Sequence, residues 1–572
     1  MPRRRKTKPQ ESQTNDILTG NGSLRYLPLD LERDQIRTLH LLPGNQHDSV
    51  RCTLRTAFLD DNPKYEALSY TWGDPQDYRY IKVDGMRKEI TVNLYNALYR
   101  LRDSKQERCL WVDAVCIDQN DDAEKSQQVN LMTKIYSQTE RAILWLGDFS
   151  EHLDITTNHF PREKATDAFN FLTSVVMPNH ENGSLGTDED HELIQRGPPA
   201  FLSLLQLPWW HRAWTVQEAV LPSDAIVVCG NLEMPFSLFP KLYSDLAIHY
   251  YNNCCEWGKT LSVFWEQMHA LLNACDDYHD DSINIHKLLN TFRSRHASNP
   301  RDKVYAYLGL CPGISTDYKM PHEEVFKQLV RTLIKDTGTL DALLRTTEDV
   351  RSATLPTWAP DWCAEFDLAM YQHDLSRFYL YNYYIAAGET KAETRIPSRD
   401  CELDLQGVIL DRISKIGCLI ESDKSAKEAV DKWDEDHSGE YPTGGTYREA
   451  AWGTVLGAVM YMEDVSFRRL NEDDDPEQVA AYQLARDPGG SSLGSFHQLP
   501  FSTEKGMLGF GGRNLKVGDT ICVLAGGRMP FVLRQVSAPG SNYMYIGPAY
   551  VHGIMDGEVL ESVERFDWIT LV

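Results

Sequence analysis

The chain has 572 residues, of which 42% are hydrophobic and 25% charged, and these ordinary globular values exclude a wholly disordered chain, a collagen-like repeat and a membrane bundle. At roughly 150 residues per domain, this length allows two to four compact units. The formal charge of −25 argues against general binding to nucleic acid or to anionic membrane, because both need clustered Lys and Arg.

Residues 1–25 are predicted to form a disordered, basic tail, because the first sixteen residues hold five Lys or Arg and almost no apolar side chain. This cluster is either a nuclear-import patch or a flexible terminus, and the second interpretation is favoured because basic termini are common. We therefore expect a cytoplasmic protein, with nuclear import by the tail as the alternative. Residues 26–64 are predicted to form a hairpin that leads into the next unit.

The twelve cysteines are scattered among apolar neighbours and the sequence shows no secretory signal, so a reducing compartment with buried thiols is expected. The pairs Cys254 with Cys255 and Cys275 with His279 lack the spacing of a zinc site, so no metal is expected. The longest apolar run, Ala450 to Met462, is shorter than the roughly 20 residues of a membrane-spanning helix, so no membrane span is predicted.

From residue 65 to residue 230, short apolar strands alternate with amphipathic helices, which is typical of an α/β unit with a mainly parallel sheet. A helix from Trp209 to Val220 is predicted before the last strand, and residues 178–199 are predicted to form a surface loop. The predicted strands run from Glu66 to Trp72, Cys109 to Ile117, Arg141 to Leu146 and Ala225 to Val228.

The remaining sequence predicts two further regions. Residues 231–354 have mainly helical patterns. Residues 355–572 are rich in Gly, Pro and β-branched side chains, which favours a β-rich unit, with helices inserted near residues 448–485. The acidic stretch from Asp431 to Glu440 is predicted to be a solvated loop.

Distinctive residues follow the predicted parallel strands, at the edge of the sheet where ligands bind in such folds. Each has a structural alternative, because Trp72 can be a core residue, Asp118 a helix cap and Asp74 part of a turn. Neither a dinucleotide fingerprint nor a P-loop occurs at a strand-to-helix turn, which argues against a Rossmann dehydrogenase and a P-loop ATPase. The candidate residues are Trp72, Gly73, Asp74, Asp118 and Gln119.

Two further carboxylates are candidates. Asp113 lies inside an apolar run and must find a partner, either a structural hydrogen bond or a ligand. His211, Trp214 and Glu218 are three and four positions apart, so one helix face would hold all three. An aromatic ring one turn before a carboxylate can exclude water and offer a stacking surface. The alternative is a Trp in the core and a Glu that is solvated or paired with an Arg.

Several segments resemble the fungal heterokaryon incompatibility (HET) domain in order and spacing. They are residues 65–74 (YEALSYTWGD), 110–119 (LWVDAVCIDQ), 143–147 (ILWLG) and 212–218 (RAWTVQE), with flanking matches at 299–305 (NPRDKVY) and 355–362 (LPTWAPDW). One departure is Asp118, where the family more often has Asn. The resemblance implies a role in non-self recognition between fungal cells, ending in growth arrest or cell death.

HET domains are in turn distantly similar to TIR domains, whose flavodoxin-like sheet binds NAD, and the resemblance implies such a sheet for residues 65–230. In catalytic TIR domains a glutamate follows a tryptophan by four positions; Trp214 and Glu218 reproduce that spacing, although Thr215 replaces the usual Cys. The resemblance implies cleavage of the nicotinamide–ribose bond, with NAD as substrate and Glu218 as catalytic carboxylate. The residues it places around the dinucleotide are Trp72, Gly73, Asp74, Asp113, Asp118, Gln119 and Trp214.

Two classes of function stay open. The first is an NAD-consuming effector enzyme. The second is a non-catalytic signalling module that self-associates, with residues 235–572 as a sensor or regulatory body. The expected partner is a second copy of the chain or an incompatibility partner protein, and neither nucleic acid nor a membrane. No bound cofactor is firmly implied.

Overall fold

A computed structural model describes residues 24–150, 159–175, 188–244, 262–311, 314–345, 351–365, 377–462, 467–487, 493–536, 542–563 and 565–572. The basic tail up to residue 23, and Cys254 and Cys255, lie outside the described residues. The chain divides into two compact units. The first contains the chain up to residue 269, apart from residues 211–220, and the second contains residues 211–220 and the chain from residue 270.

A mixed sheet forms the core of the first unit, and its central strands are parallel. Its strands are β1 (Gln35–Leu41), β2 (Arg51–Phe58), β3 (Glu66–Tyr70), β4 (Tyr78–Val83), β5 (Met86–Thr91), β6 (Arg108–Trp111), β7 (Arg141–Ser150), β8 (His159–Pro161), β9 (Ala225–Cys229) and β10 (Leu232–Pro235). The order is β10-β9-β7-β3-β6-β1-β2-β4-β5, with β8 paired to β7. Strands β9, β7, β3 and β6 are mutually parallel, which confirms the mainly parallel sheet.

The hairpins of this sheet follow the local sequence. Strands β1 and β2 pair antiparallel, and β1 also pairs antiparallel with β6, so the early hairpin extends the same sheet. Strands β4 and β5 are joined by Asp84 and Gly85, which both have positive φ, the backbone that a tight hairpin turn needs. All five residues of β9 are buried, as expected of a strand covered on both faces.

Helices connect the strands of the first unit. They are α1 (Val92–Leu101), α2 (Asp113–Cys116), α3 (Asp122–Asn130), α4 (Met132–Ser137), α5 (Arg162–Val175) and α6 (Asp188–Leu205). Helix α1 buries Leu94, Ala97, Leu98 and Leu101, the stripe that its sequence predicts.

The strand predicted from Cys109 to Ile117 is half wrong. Strand β6 ends at Trp111, and residues 113–116 form the single helical turn α2. The chain turns here because the N–H of Ala114 donates to Oδ1 of Asp113 at 2.7 Å and the N–H of Cys116 donates to the carbonyl of Val112 at 2.7 Å. The side chain of Asp113 therefore favours a turn over a continued strand.

The loop predicted at residues 178–199 is wrong from residue 188 onward, because α6 begins at Asp188, while residues 178–187 lie outside the described residues. The composition of this segment is polar and includes Pro, but packing against α5 stabilises a helix. Gly197 lets α6 approach α5 closely, since a Cβ there would lie 2.5 Å from Cβ of Phe171. The rings of Phe171 and Phe201 pack with centroids 6.3 Å apart.

The helix predicted from Trp209 to Val220 is present only in its second half. A 3₁₀ turn spans Pro208–His211, and helix α7 covers only Thr215–Val220. Between them, Arg212 forms an isolated parallel bridge with His296. The N–H of Ala213 donates to the carbonyl of His296 at 2.9 Å, and this pairing holds the backbone extended where the sequence pattern favours a helix.

The second unit has helices in its middle part and a β-rich carboxyl-terminal part, as predicted. The helices are α8 (Ser262–His279), α9 (Ile285–Thr291), α10 (Asp302–Tyr305) and α11 (His322–Thr337). The division between the two units falls within α8. The strands are β11 (Leu403–Ile416), β12 (Val459–Tyr461), β13 (Phe467–Arg469), β14 (Leu499–Thr503), β15 (Leu508–Gly511), β16 (Thr520–Leu524), β17 (Phe531–Gln535), β18 (Asn542–Val551) and β19 (Asp567–Leu571).

The carboxyl-terminal strands form one mainly antiparallel sheet in the order β14-β15-β18-β17-β16-β11-β19, and β11 also pairs with β14, so the sheet closes on itself. Inserted helices α12 (Asp423–Asp436), α13 (Tyr447–Leu456) and α14 (Pro476–Arg486) precede β14. The solvated loop predicted from Asp431 is wrong up to Asp436, because a Ser422 capping box starts α12 and Val430 and Trp433 are buried on one face. Within the described ranges, no helix is long and apolar enough to cross a bilayer.

Candidate functional site

The ends of β3 and β6 carry an indole paired with a carboxylate. Nε1 of Trp72 donates a hydrogen bond of 2.9 Å to Oδ2 of Asp113. The two residues meet because β3 and β6 are neighbouring parallel strands, so the residues that follow them emerge at the same edge. Trp72 is 40% exposed, which leaves part of the ring free to stack on a flat heterocycle. Trp72 is thus a surface residue and not a core residue.

Two further hydrogen bonds fix Asp113, one to its carboxylate and one to its main chain. Oδ1 accepts the N–H of Ala114, and the amide Nε2 of Gln119 donates to the main-chain carbonyl of Asp113 at 3.0 Å. Three of the predicted residues, Trp72, Asp113 and Gln119, therefore lie together. The arrangement holds a half-buried carboxylate beside an exposed aromatic ring.

Asp118 is not a helix cap, because the N-cap of α3 is Asp121; it closes the turn before that helix. Its Oδ1 accepts the N–H of Asn120 at 3.1 Å, and its own N–H donates to Oε1 of Glu124 at 2.7 Å. Glu124 is buried and receives two hydrogen bonds from Arg37, of 2.6 and 2.9 Å. This buried ion pair ties β1 to the turn that contains Asp118 and fixes the loop after α2.

Gly73 and Asp74 form a turn after Trp72. Gly73 has a φ of 80°, in the left-handed region that favours glycine. Oδ1 of Asp74 accepts the N–H of Gln76 at 2.8 Å, as expected of an Asp that closes a turn. Both residues are exposed. Their geometry orients the chain beside Trp72.

Asn93 is a residue at this edge that the sequence analysis missed. Its Nδ2 donates to the carbonyl of Thr71 at 2.6 Å, and its Oδ1 accepts from the indole Nε1 of Trp145 at 2.9 Å. The buried amide therefore joins the end of β3 to β7. The sequence gives only a weak signal for this role, an Asn in the first turn of a helix. The partners of Asn93 lie 22 and 52 residues away in sequence, so no local motif marks it.

A guanidinium and a carboxylate lie at the end of β7. Nε of Arg100 donates to Oδ1 of Asp148 at 2.9 Å, and the same oxygen accepts the N–H of Phe149 at 2.8 Å. Asp148 is buried, whereas the Arg100 side chain is one-third exposed (33%). Arg100 thus adds a partly accessible cation to the polar residues that follow the parallel strands.

Trp214 and Glu218 belong to the second unit, and both are buried, with 7% and 3% of their surface exposed. The N–H of Glu218 donates to the carbonyl of Trp214 at 3.3 Å. Nη1 of Arg212 lies 3.8 Å from Oε1 of Glu218. The structure therefore shows the alternative considered from the sequence, a buried Trp and a Glu beside an Arg, and Glu218 is not a solvated helix residue.

The start of α7 is held by Arg295, a second residue that the sequence analysis missed. Its Nη1 donates to Oγ1 of Thr215 at 2.9 Å and to the carbonyl of Arg212 at 3.3 Å. Burial lowers the pKa of Arg295 to about 10, so the guanidinium stays charged at neutral pH. His211 lies in the preceding 3₁₀ turn, so the predicted single helix face with Trp214 and Glu218 does not form.

The described residues contain no cluster of three or more His, Cys, Asp or Glu that could hold a metal ion. Cys275, one of the thiols considered from the sequence, is half-buried, and burial raises its pKa to about 12.

Comparison with known proteins gives two family matches and one relative. Residues 65–218 match the family model described as Heterokaryon incompatibility protein (HET), and residues 493–571 match that of the Het-6 beta-barrel domain. The chain is 25% identical to Heterokaryon incompatibility protein 6, OR allele, of Neurospora crassa, over 97% of this chain and 99% of the relative. No solved structure matches the chain.

Proposed function

We propose that the chain acts in heterokaryon incompatibility, the non-self recognition that follows fusion of fungal cells, because it matches the family models of both the HET domain and the Het-6 β-barrel domain. The similarity to the Neurospora protein supports this role because it covers almost the whole of both chains. The proposed output is growth arrest or cell death.

We propose further that the first unit binds NAD at the edge formed by Trp72 and Asp113. Counting only the parallel strands β3, β6, β7 and β9, their spatial order is second, first, third, fourth, as in flavodoxin-like sheets. In such sheets the ligand binds where the strand order reverses, which here is beside the ends of β3 and β7. The indole–carboxylate pair after β3 and β6 is the observation that carries the proposal.

The residues at this edge suit a dinucleotide. The exposed ring of Trp72 would stack on a base or on nicotinamide. The carboxylate of Asp113 would accept hydrogen bonds from ribose hydroxyls, and Arg100 would pair with a phosphate. These contacts use the exposed part of Trp72, the half-buried carboxylate and the accessible part of the guanidinium.

The proposed reaction is cleavage of the nicotinamide–ribose bond. Its transition state is oxocarbenium-like, so a nearby negative charge stabilises it, and nicotinamide leaves as a neutral molecule without a second acid. The stabilising role of Glu218, which belongs to the second unit, rests on the resemblance of Trp214 and Glu218 to the TIR pattern alone. The binding proposal for the first unit rests on the Trp72–Asp113 pair and is tested separately. Burial strengthens the interaction of such a carboxylate with positive charge, because the surrounding dielectric is low.

The cellular test compares matched variants. Wild type, Trp72→Ala and Glu218→Gln are expressed in a fungal host, together with Glu233→Gln, which changes an exposed glutamate on β10. NAD content and growth are measured in each strain. We expect NAD loss and growth arrest with wild type and Glu233→Gln, and neither with the other two variants. Equal NAD loss in all four strains contradicts the proposed residues.

A non-catalytic module that acts by self-association is the second candidate, and the β4–β5 hairpin favours it. Strand β5 stands at one end of the sheet order, opposite β10, and an edge strand can pair with another chain. Tyr78 and Tyr80 are 46% and 39% exposed, and the guanidinium carbon of Arg87 lies 3.3 Å from the centroid of Tyr80. Tyr and Arg are the residue types that dominate binding energy at interfaces.

The two candidates give different results in the same strains. Growth arrest with unchanged NAD in every strain supports the self-association module. In that case, light scattering of the purified protein should give a mass above that of one chain, and Tyr80→Ala should reduce it. A monomer at all concentrations, with NAD loss intact, excludes self-association as the mechanism.

A further inference from the structure

Cys109, His40 and Glu107 form a chain of close contacts at the amino end of β6, away from the Trp72–Asp113 pair at its carboxyl end. His40 of β1 lies directly opposite Cys109 in the antiparallel register. Sγ of Cys109 is 3.7 Å from Nε2 of His40, and Nδ1 of His40 is 2.6 Å from Oε1 of Glu107. The order is thiol, imidazole, carboxylate.

The carboxylate selects the tautomer of the imidazole. A carboxylate only accepts hydrogen bonds, so Nδ1 of His40 carries the proton and donates it to Glu107. In the neutral ring, Nε2 is then an acceptor, and it faces Sγ of Cys109 and Oγ1 of Thr38, which is 3.2 Å away. Nε2 is therefore placed to take a proton from the thiol.

The cluster is partly open to solvent. The His40 side chain is 12% exposed and that of Glu107 36%, while Cys109 is half-buried. Thr53 lies opposite His40 on the other neighbouring strand, and its Oγ1 is buried without a hydrogen-bond partner among the described residues. An unpaired buried hydroxyl is costly. Thr53 and Cys109 flank His40 from opposite sides, so this hydroxyl lies on the far side of the imidazole from the thiol.

We propose that Cys109, His40 and Glu107 form an activated nucleophile that accepts acyl groups from thioesters or activated esters. Cysteine and serine acyl-transfer enzymes share this arrangement, in which a base lies within reach of the nucleophile and a third group orients the base. Nothing in the NAD proposal uses these residues, and the two proposals stand separately.

The step balances without an external reactant other than the acyl donor. Sγ of Cys109 attacks the carbonyl carbon while its proton passes to Nε2 of His40. The new S–C bond replaces the C–S or C–O bond of the donor, and His40 returns the proton to the leaving thiolate or alkoxide. Glu107 stabilises the imidazolium that exists between these events. The product is a thioester on Cys109 and a free thiol or alcohol.

Burial raises the pKa of the Cys109 thiol above its ordinary value, so the resting group is the protonated thiol and attack requires a base. Thr38, by a hydrogen bond, and Arg55, by its charge, act in the opposite direction. The titratable and charged groups that face Cys109 are His40 on β1, Arg55 on β2, Tyr65 before β3, Glu107 before β6 and Glu140 before β7.

The experiment follows acetylation of individual cysteines. Full-length protein is incubated with p-nitrophenyl acetate, and the acetylation rate of each Cys peptide is measured by mass spectrometry in wild type, His40→Gln and Glu107→Gln. The exposed Cys418 is the internal control. We expect His40→Gln to slow labelling of Cys109 by roughly 100-fold, the loss typical of a general base, with Cys418 unchanged. Glu107→Gln should slow it in the same direction.

The proposal is overturned if wild-type Cys109 reacts no faster than Cys418, or if a folded His40→Gln variant labels Cys109 at the wild-type rate. Thermal melting shows whether that variant is folded. If it is not, the solvent isotope effect on the wild-type protein decides. Proton transfer to a general base predicts slower labelling of Cys109 in D2O than in H2O, whereas equal rates in the two solvents contradict it.

Discussion

Oδ1 of Asn93 accepts a hydrogen bond of 2.9 Å from the indole Nε1 of Trp145, so an amide on α1 is fixed to the buried interior of β7. The same amide donates to the carbonyl of Thr71, directly after β3. One buried side chain therefore sets the spacing of two strand ends at the edge where we place the ligand. The edge is held rigid before any ligand arrives, which lowers the entropic cost of binding.

Asn93→Ala should lower the free energy of unfolding by about 2–4 kcal/mol, because it removes the buried hydrogen bonds to the Trp145 indole and the Thr71 carbonyl. Urea unfolding followed by tryptophan fluorescence measures the change. Asn96→Ala, on the same helix but only half-buried, is the control and should stay within about 0.5 kcal/mol of wild type. Equal effects of the two variants would remove the structural role given to Asn93.

Trp72→Ala should weaken NAD binding by roughly 5- to 150-fold, which corresponds to the about 1–3 kcal/mol of a lost base–aromatic stack. Trp72→Phe should retain most of the affinity because it keeps a flat ring. Isothermal titration of the purified protein with NAD provides the measurement. Tyr78→Ala removes a comparably exposed ring from β4 and should bind as wild type. If Trp72→Ala also binds as wild type, the ligand does not stack on this indole.

The environment of Glu66 leads us to expect that the folded protein loses stability in acid. Burial raises its pKa, but hydrogen bonds from Arg108 and Arg141 outweigh burial and hold the pKa below its ordinary value. A lowered carboxyl pKa stabilises the folded state above the unfolded pKa, near 4.3, and this contribution disappears as the pH falls through the folded value.

Glu66→Gln should therefore melt below wild type at pH 7, and the gap should close progressively below about pH 4.3. Thermal melting at a series of pH values gives the comparison. Glu140→Gln is a control on the exposed Lys64–Glu140 pair and should show almost no gap at any pH. A Glu66→Gln gap that is constant from pH 7 to pH 3 would show that the carboxylate charge is not responsible.

The sequence predicted β3, β7 and β9 well because each contains a short apolar run bounded by polar residues, whereas β6 ends earlier than predicted. The run from Ala225 to Val228 and the run that starts at Arg141 both lie where predicted. The prediction was wrong where distant hydrogen bonds decide the backbone. Residues 209–214 have a helical pattern, but the bridge between Arg212 and His296, 84 residues apart in the chain, keeps part of them extended.

The candidate site was predicted only in part, because local patterns mark some of its residues and tertiary packing alone sets the others. Trp72 and Asp113 could be placed together because each follows a strand of one parallel sheet, and strand ends share an edge. Asn93 and Arg295 could not, because their partners are set by tertiary packing and no local motif marks them. The burial of Glu218 was likewise invisible in the spacing that singled it out.

The burial of Glu218 changes what its substitution should do. Glu218→Gln removes the charge beside Arg212, so some loss of thermal stability is expected along with the loss of activity. A melting curve on each preparation separates the two effects. Only activity per folded molecule bears on the catalytic role.

The measurement that tests the account most directly is release of nicotinamide from NAD by the purified full-length protein, wild type against Glu218→Gln, at a temperature where both are folded. The account predicts release by wild type and a rate lower by roughly 100- to 1,000-fold in the variant, the loss typical of removing one electrostatic stabiliser. Equal release by both proteins, or none by folded wild type, would contradict it.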